Sequence, residues 1–238
     1  MAIGKEIIGL QERLGYVFRD ISYLELALTH SSYTNEQRSR GILVSSNERL
    51  EFLGDAVLEL VISEHLYSNY KKHREGSLTK MRQKLVCEKT LSKIAAELKI
   101  GDYLNIGHGE ELTDCRKRPK VLADALEAVI GAVYLDSKGV NDIAPRDVIM
   151  RIYADMLDEV AISSATDYKT RLQQLIEQDG AALLEYRLID TEGPEHNKLF
   201  TVSAFVNNNE VGRGVASNKK EAEMQAAKVA LELFGVGI

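Results

Sequence analysis

The hydrophobic rhythm of this chain changes once, and that change limits the possible fold more than any other feature. Up to about Asp158, apolar residues recur at spacings of three and four with few β-branched clusters, the pattern of amphipathic helices. From Val160 to Asp167 the sequence turns small and polar, and beyond it the rhythm moves towards alternation, the period of strands. The order expected there is a helix from Tyr168 to Gln178, three strands near Leu184–Asp190, Leu199–Asn207 and Glu210–Ala216, and a closing helix from Lys219 to Phe234. The sequence therefore predicts a multi-domain protein: an all-α domain over 1–158, a linker over 159–166, and a small α+β domain of order α-β-β-β-α over 167–238. No internal repeat interrupts this organisation.

Within the first domain, Ser22-Tyr-Leu-Glu25 reads as a capping box, and further helices are expected from Asn47, Ser77, Lys89 and Val121, with Pro145 opening the next. The helix after Asn47 carries Glu48, Glu51 and Asp55 at i, i+3 and i+7, within about 60° of arc. Leu50, Leu53, Val57, Leu60 and Val61 are expected to form an opposite, packed arc. Glu59, one turn further on, is read as facing solvent or supporting the acids from outside. Acids at this spacing are more often a solvated face than a site, and alone they decide nothing. The stretch Val121–Leu135 is different: its charges are Asp124 and Glu127, set among apolar and small residues without a Lys or Arg. A carboxylate buried there without a partner costs several kcal/mol or takes up a proton. Either a basic residue from elsewhere pairs with these acids, or a divalent cation shared with Glu51 and Asp55 satisfies all four.

Composition narrows the choice. A chain of 238 residues, 45% hydrophobic and 28% charged, is globular rather than disordered. Its net charge of -6 argues on its face against a polyanion partner, although acids gathered around cations lower the total without repelling one. The start lacks the basic and apolar pattern of a leader, and no stretch is apolar enough to span a membrane, so a cytoplasmic location is expected. Cys87, Cys115 and the five histidines are scattered, which signals neither disulfides nor zinc. Oxygen ligands without His or Cys point to Mg²⁺, with Mn²⁺ as a substitute, and to phosphoryl-transfer chemistry in which water attacks in line.

The nine residues Asn47-Glu-Arg-Leu-Glu-Phe-Leu-Gly-Asp55 resemble the signature of the ribonuclease III family. His30–Glu36, Glu75–Arg82 and Leu122–Ala128 resemble its other segments. The resemblance implies a homodimeric endoribonuclease that hydrolyses double-stranded RNA, including ribosomal RNA precursors and some messenger RNAs, leaving 5′-phosphate and 3′-hydroxyl ends with short 3′ overhangs. It implies Glu51, Asp55, Asp124 and Glu127 as metal ligands, Asp55 and Glu127 as the most critical for hydrolysis, and Glu48 and Glu75 as acids that position RNA at the rim of the catalytic valley. Phe52 lies off the packed arc, and the resemblance places a dimer contact there. No small-molecule cofactor is expected. The alternative is a non-catalytic RNA-binding scaffold on the same frame, which intact acids at 55 and 127 disfavour.

The second domain resembles a double-stranded RNA-binding domain. Lys219 and Lys220 open a helix in which Ala222, Ala226, Ala227 and Ala230 allow close packing on a sheet, and they would face phosphates. In the first helix, Leu172, Leu175 and Ile176 form the core stripe, while Thr170, Gln173 and Glu177 share the other side and would meet an RNA minor groove. Gly193–His196 resembles a second groove-reading loop, making His196 a candidate contact. Glu177 departs from relatives that carry a neutral amide, which points to modest affinity.

Overall fold

A computed structural model describes residues 3–71, 73–165, 168–178, 183–194 and 198–236. The chain divides into two compact units, Met1–Asp158 and Glu159–Ile238.

The first unit is helical. Its described α-helices are α1 (Ile3–Leu14), α2 (Ile21–Ala27), α3 (Ser31–Ser39), α4 (Glu48–Asn69), α5 (Glu75–Val86), α6 (Glu88–Glu97), the single turn α7 (His108–Glu111), α8 (Pro119–Ser137) and α9 (Ala144–Ile152), and α10 (Ala154–Ala165) begins in this unit and runs past its end. Helix α10 continues through most of the segment expected as the linker. The capping box assigned to Ser22 is corrected: Asp20 caps α2, its carboxylate accepting from the Ser22 N–H at 3.0 Å. Asp is as good a cap as Ser, and here it sits one position ahead of the first helical residue. Helices α5 and α8 each begin two residues before the expected starts at Ser77 and Val121, because Glu75 and Pro119 are both favoured in a first turn.

Helix α8 is the hub. Ala123, Ala125, Leu126 and the run Ala128–Val133 are buried, against α4 on one side and α6, α2 and α9 on others. An ideal Cβ built on Gly54 of α4 would lie 1.7 Å from the Glu127 carbonyl oxygen, and one on Gly131 of α8 would lie 2.4 Å from the Leu50 carbonyl oxygen. The two helices thus touch backbone to backbone, a distance that only glycine permits. The start of α4 is pinned as well. Asn47 is buried at 4% exposure, its N–H donating to the Thr29 carbonyl at 2.9 Å and its side-chain amide to the Ala27 carbonyl at 3.2 Å.

The second unit runs α11 (Tyr168–Gln178), β1 (Leu184–Glu192), β2 (Leu199–Val206), β3 (Asn209–Ala216) and α12 (Lys219–Leu233). Its strands form an antiparallel sheet in the order β1-β2-β3. Leu172 and Ile176 of α11 pack with Ala204 of β2 and with Ala226, Ala227, Ala230 and Leu231 of α12. Close approach again depends on glycine: a Cβ on Gly212 or Gly214 of β3 would meet the carbonyls of Ala226 and Ala222 at 2.3 and 2.2 Å. The small residues of α12 and β3 are therefore two halves of one contact.

Candidate metal centre

The backbone contact at Gly54 and Gly131 decides where the carboxylates fall. Helix α4 buries Leu50, Gly54, Leu58, Val61, Ile62 and Leu66, so the packed stripe lies beside the acids rather than opposite them. The expected arc through Leu53, Val57 and Leu60 is corrected accordingly: Leu53 and Val57 are half-buried and Leu60 is 69% exposed. Rotation of α4 towards α8 brings Glu51 against the acids of the second helix and leaves Leu60 on the outer side with Phe52.

Glu51, Asp124 and Glu127 each offer a carboxylate oxygen within 4.8 Å of the others, and all three are half-buried. Such a group repels itself unless protons or cations intervene. Burial pushes the Glu127 carboxyl up to about 8, and the charges of Asp55, Asp124 and Glu51 add to that rise. Glu51 is raised by burial and by the charge of Asp124, with Lys120 opposing and Glu48 and Asp55 adding. Asp55 is exposed, one turn beyond Glu51, and stands outside the tight trio while its charge presses on Glu127. Glu48 is exposed and accepts from the Ser46 hydroxyl at 2.6 Å. Glu75 is exposed at the start of α5, accepts from Thr79 at 2.9 Å and is not part of the trio.

The expectation that the Asp124 helix carries no base is corrected. Because α8 begins at Pro119, Lys120 belongs to it, and its Nζ lies 3.2 Å from the Asp124 carboxylate, one turn away. Lys120 is 75% exposed, and an exposed pair of this kind contributes about 0.3–0.5 kcal/mol. It offsets part of one charge and leaves the remaining acids uncompensated. All the donors are hard carboxylate oxygens, and Glu127 is raised first by burial and then by the like charges of its neighbours, with Lys120 as the opposing cation. Both properties fit a divalent cation of the Mg²⁺ class.

A pH dependence follows. Folded Glu127 keeps its proton up to about 8, whereas the unfolded chain releases it near the ordinary carboxylate value of about 4.3. The folded state therefore binds more protons across that window, and stability falls as pH rises through it. Melting in the presence of EDTA should decline for the wild type relative to Glu127→Gln between about pH 5 and 8, and added Mg²⁺ should restore most stability at the alkaline end. Parallel wild-type and variant curves would contradict this electrostatic account.

In the second unit, Leu172 and Ile176 are buried and Leu175 half-buried. Gln173 and Glu177 are exposed and joined to each other, the Gln173 amide donating to the Glu177 carboxylate at 2.7 Å, and Thr170 is half-buried beside them. Lys219 and Lys220 are exposed at the start of α12, where Asn218 caps the helix by accepting from the Glu221 N–H at 2.9 Å. His196 lies outside the described residues.

Comparison with known proteins agrees with this construction. A ribonuclease-III-like family pattern matches residues 20–154, and a double-stranded RNA-binding motif matches residues 168–233. The ribonuclease 3 of Geobacillus kaustophilus is 46% identical over 223 residues, covering 94% of this chain and 89% of that protein. The chain belongs to the ribonuclease III family. The ribonuclease 3 of Clostridium perfringens is 43% identical over 230 residues, covering 96% of this chain and 94% of its own length. Among solved structures, a nuclease domain of ribonuclease III from Campylobacter jejuni superposes with a TM-score of 0.55 at 40% identity, over 61% of this chain and 94% of that one, and its description concerns flexibility in a region involved in dimer formation. Among the described residues no helix is long and apolar enough to cross a membrane.

Two kinds of functional residue escape a reading of the sequence. Gly54 and Gly131 bear no side chain and so leave no mark in a hydrophobic pattern, although they set the spacing of the acids. Ser32 and Glu36, in a segment that resembles the family, prove to hold backbone: they accept from Gly107 and His108 N–H groups at 3.0 and 2.7 Å.

Proposed function

We propose that this protein is an endoribonuclease specific for double-stranded RNA, in which the helical unit cuts and the α+β unit binds. The convergence of Glu51, Asp124 and Glu127 from two helices held in backbone contact carries the reading. Three half-buried acids at this spacing have no structural benefit of their own, whereas a scaffold that only binds RNA needs none of them.

Glu51, Asp124 and Glu127, with Asp55 closing the cluster, would hold a cation of the Mg²⁺ class. When bound, such an ion acidifies water for attack and neutralises charge on the phosphate in an in-line displacement. The chain's own contribution is to fix four oxygens on rigid helices, so that their orientation costs little at the moment of reaction. Asp55, exposed, would accept a proton or orient water on the solvent side, and Glu48 would orient RNA at the rim. Glu75, on α5, is the less direct of the two rim candidates. In the α+β unit Lys219 and Lys220 supply phosphate contacts, and Thr170, Gln173 and Glu177 face a minor groove where 2′-hydroxyls distinguish RNA from DNA. The Gln173–Glu177 bond must open or reorient for that contact. Products with 5′-phosphate, 3′-hydroxyl ends and short 3′ overhangs, a cytoplasmic location and action on ribosomal RNA precursors belong to the same proposal.

Homodimerisation is proposed from the outer side of α4. Phe52, Leu60 and Tyr67 are 80%, 69% and 77% exposed, an unusual apolar edge for a finished surface. Nearby, Leu66, Tyr67, Leu78 and their neighbours line a cleft of about 470 Å³. A projecting aromatic and a concave apolar surface on one face are what a two-fold, self-complementary interface requires. Phe52→Asp should weaken association by about thirtyfold or more. Sedimentation velocity reads this directly, and a monomeric wild type at micromolar concentration would rule the interface out.

The function is tested by incubating the full chain with a long RNA duplex, with and without Mg²⁺, and sequencing the product ends. Cleavage with Mg²⁺ and none in EDTA is expected. A chain ending before Thr166 should lose binding by one or more orders of magnitude at moderate salt and keep cleavage at low salt. Duplex binding without any cleavage in Mg²⁺ or Mn²⁺ would return the protein to the scaffold reading.

A further inference from the structure

Tyr153 closes α9 at its C-terminal cap and is wholly buried, with 0% of its surface exposed. Its backbone is satisfied: the N–H donates to the Ile149 carbonyl at 3.0 Å, and its own carbonyl accepts from Leu157 at 2.9 Å. The side-chain hydroxyl is not. Among the described residues it has no hydrogen-bond partner, which is costly for a buried polar group and uncommon without a reason. A phenylalanine would fill the same space without that cost.

Helix α9 packs on α8, and the charges of Glu127 of α8 and of Cys87 at the α5–α6 corner both bear on this oxygen. Glu127 is half-buried, and one of its oxygens lies within 4.8 Å of oxygens of Glu51 and Asp124. Its side chain makes no hydrogen bond among the described residues. A phenol hydroxyl can donate as well as accept, whereas an ionised carboxylate only accepts, so any bond between the two runs from the tyrosine to the acid. The two unsatisfied requirements, a buried donor and a carboxylate in need of support, therefore complement one another.

We propose that Tyr153 is a positioning residue for the metal centre, its hydroxyl donating to the Glu127 carboxylate, directly or across one water, when Glu127 serves as a ligand. The bond would fix the rotation of the carboxylate from behind while the opposite oxygen faces Glu51 and Asp124. Metal ligands held in this way by an outer hydrogen bond typically depend on it for about ten- to a hundredfold in affinity. The role rests on the reading of Glu127 as a ligand, and the test separates the two.

Mn²⁺ binding to the RNA-free full-length protein is measured by calorimetry or by the paramagnetic signal of the free ion, alongside melting in EDTA. Glu127→Gln should lose most binding. Tyr153→Phe should bind about ten- to a hundredfold more weakly, yet melt in EDTA at or above the wild-type temperature, because the unpartnered hydroxyl is gone. Cys87→Ala, which removes the other group near that oxygen, should leave Mn²⁺ binding unchanged. Wild-type affinity in Tyr153→Phe, with Glu127→Gln impaired, would leave the ligand reading intact and overturn the role of Tyr153. Unchanged binding in Glu127→Gln would remove both. Should Tyr153→Phe melt so low that binding cannot be read, Tyr153→Met supplies a second apolar replacement, and wild-type affinity there equally overturns the proposal.

Discussion

Replacing Glu127 by Gln is expected to reduce cleavage of duplex RNA by roughly a thousandfold or more, as removal of one member of an interdependent catalytic set commonly does, while leaving duplex binding within about twofold. The substitution keeps the length and branching of the side chain, so α8 should pack as before. What it removes is the negative charge around which the neighbouring acids are arranged. Glu127 carries the largest resolved rise in the cluster, up to about 8, because burial and three other carboxylates oppose its ionisation. A neutral amide relieves that repulsion but cannot replace the oxygen anion that a divalent ion needs. The metal-free variant should therefore be at least as stable as the wild type above neutral pH, although it is inactive. Binding survives because the groups proposed to hold RNA, Lys219, Lys220 and the Thr170 face, belong to the other compact unit. Gel-shift and single-turnover cleavage assays on the same preparation separate the two properties. Cleavage within tenfold of wild type would remove Glu127 from the chemistry and take the assignment of the centre with it.

The contrast between the two acidic helices explains how much of this could be read from residues alone. Asp124 and Glu127 stand out because charges within an apolar run violate the ordinary pattern, and a violation that the chain retains calls for compensation. They are half-buried and lie with Glu51 of α4 in one cluster. The acids of α4 were harder to place, since Glu48, Glu51 and Asp55 share an arc with or without a site. Their role depends on how α4 is rotated about its axis, and that rotation is set by Gly54, which periodicity scores as nothing. The displaced stripe, with Leu60 exposed and Leu58 buried, has the same origin. Lys120 is hidden from the pattern because a proline marks a helix start from inside the first turn, so the base lies one residue within α8 rather than before it. In the α+β unit the alternating strands and the alanines of α12 were legible, whereas the glycines of β3 that receive them were not. Capping of α2 by Asp20 rather than Ser22 shows the usual limit of such readings: the type of an element is better specified than its end.

Gly54→Ala tests that geometry with the least chemical change available. By helix propensity alone the substitution in the middle of α4 should stabilise the protein by about 1 kcal/mol. The added methyl, however, would sit 1.7 Å from the Glu127 carbonyl oxygen and 2.9 Å from the Gly131 nitrogen, and neither is a flexible side-chain tip that can move aside. Relief requires α4 and α8 to separate, and overpacking of this kind costs about 3 kcal/mol or somewhat more, enough to reverse the sign of the propensity gain. The same separation moves Glu51 and Asp55 away from Asp124 and Glu127, so cleavage should fall by about a hundredfold or more even below the lowered melting temperature, as misplacement by an ångström commonly costs. Gly76 provides the control. It lies in the first turns of α5 with nothing within 4 Å of an added Cβ, and Gly76→Ala should be neutral or slightly stabilising with full activity. Denaturant titration and cleavage of the pair together decide the point: if both alanine variants behaved alike, the backbone contact between the acidic helices would not be what sets the spacing of the carboxylates.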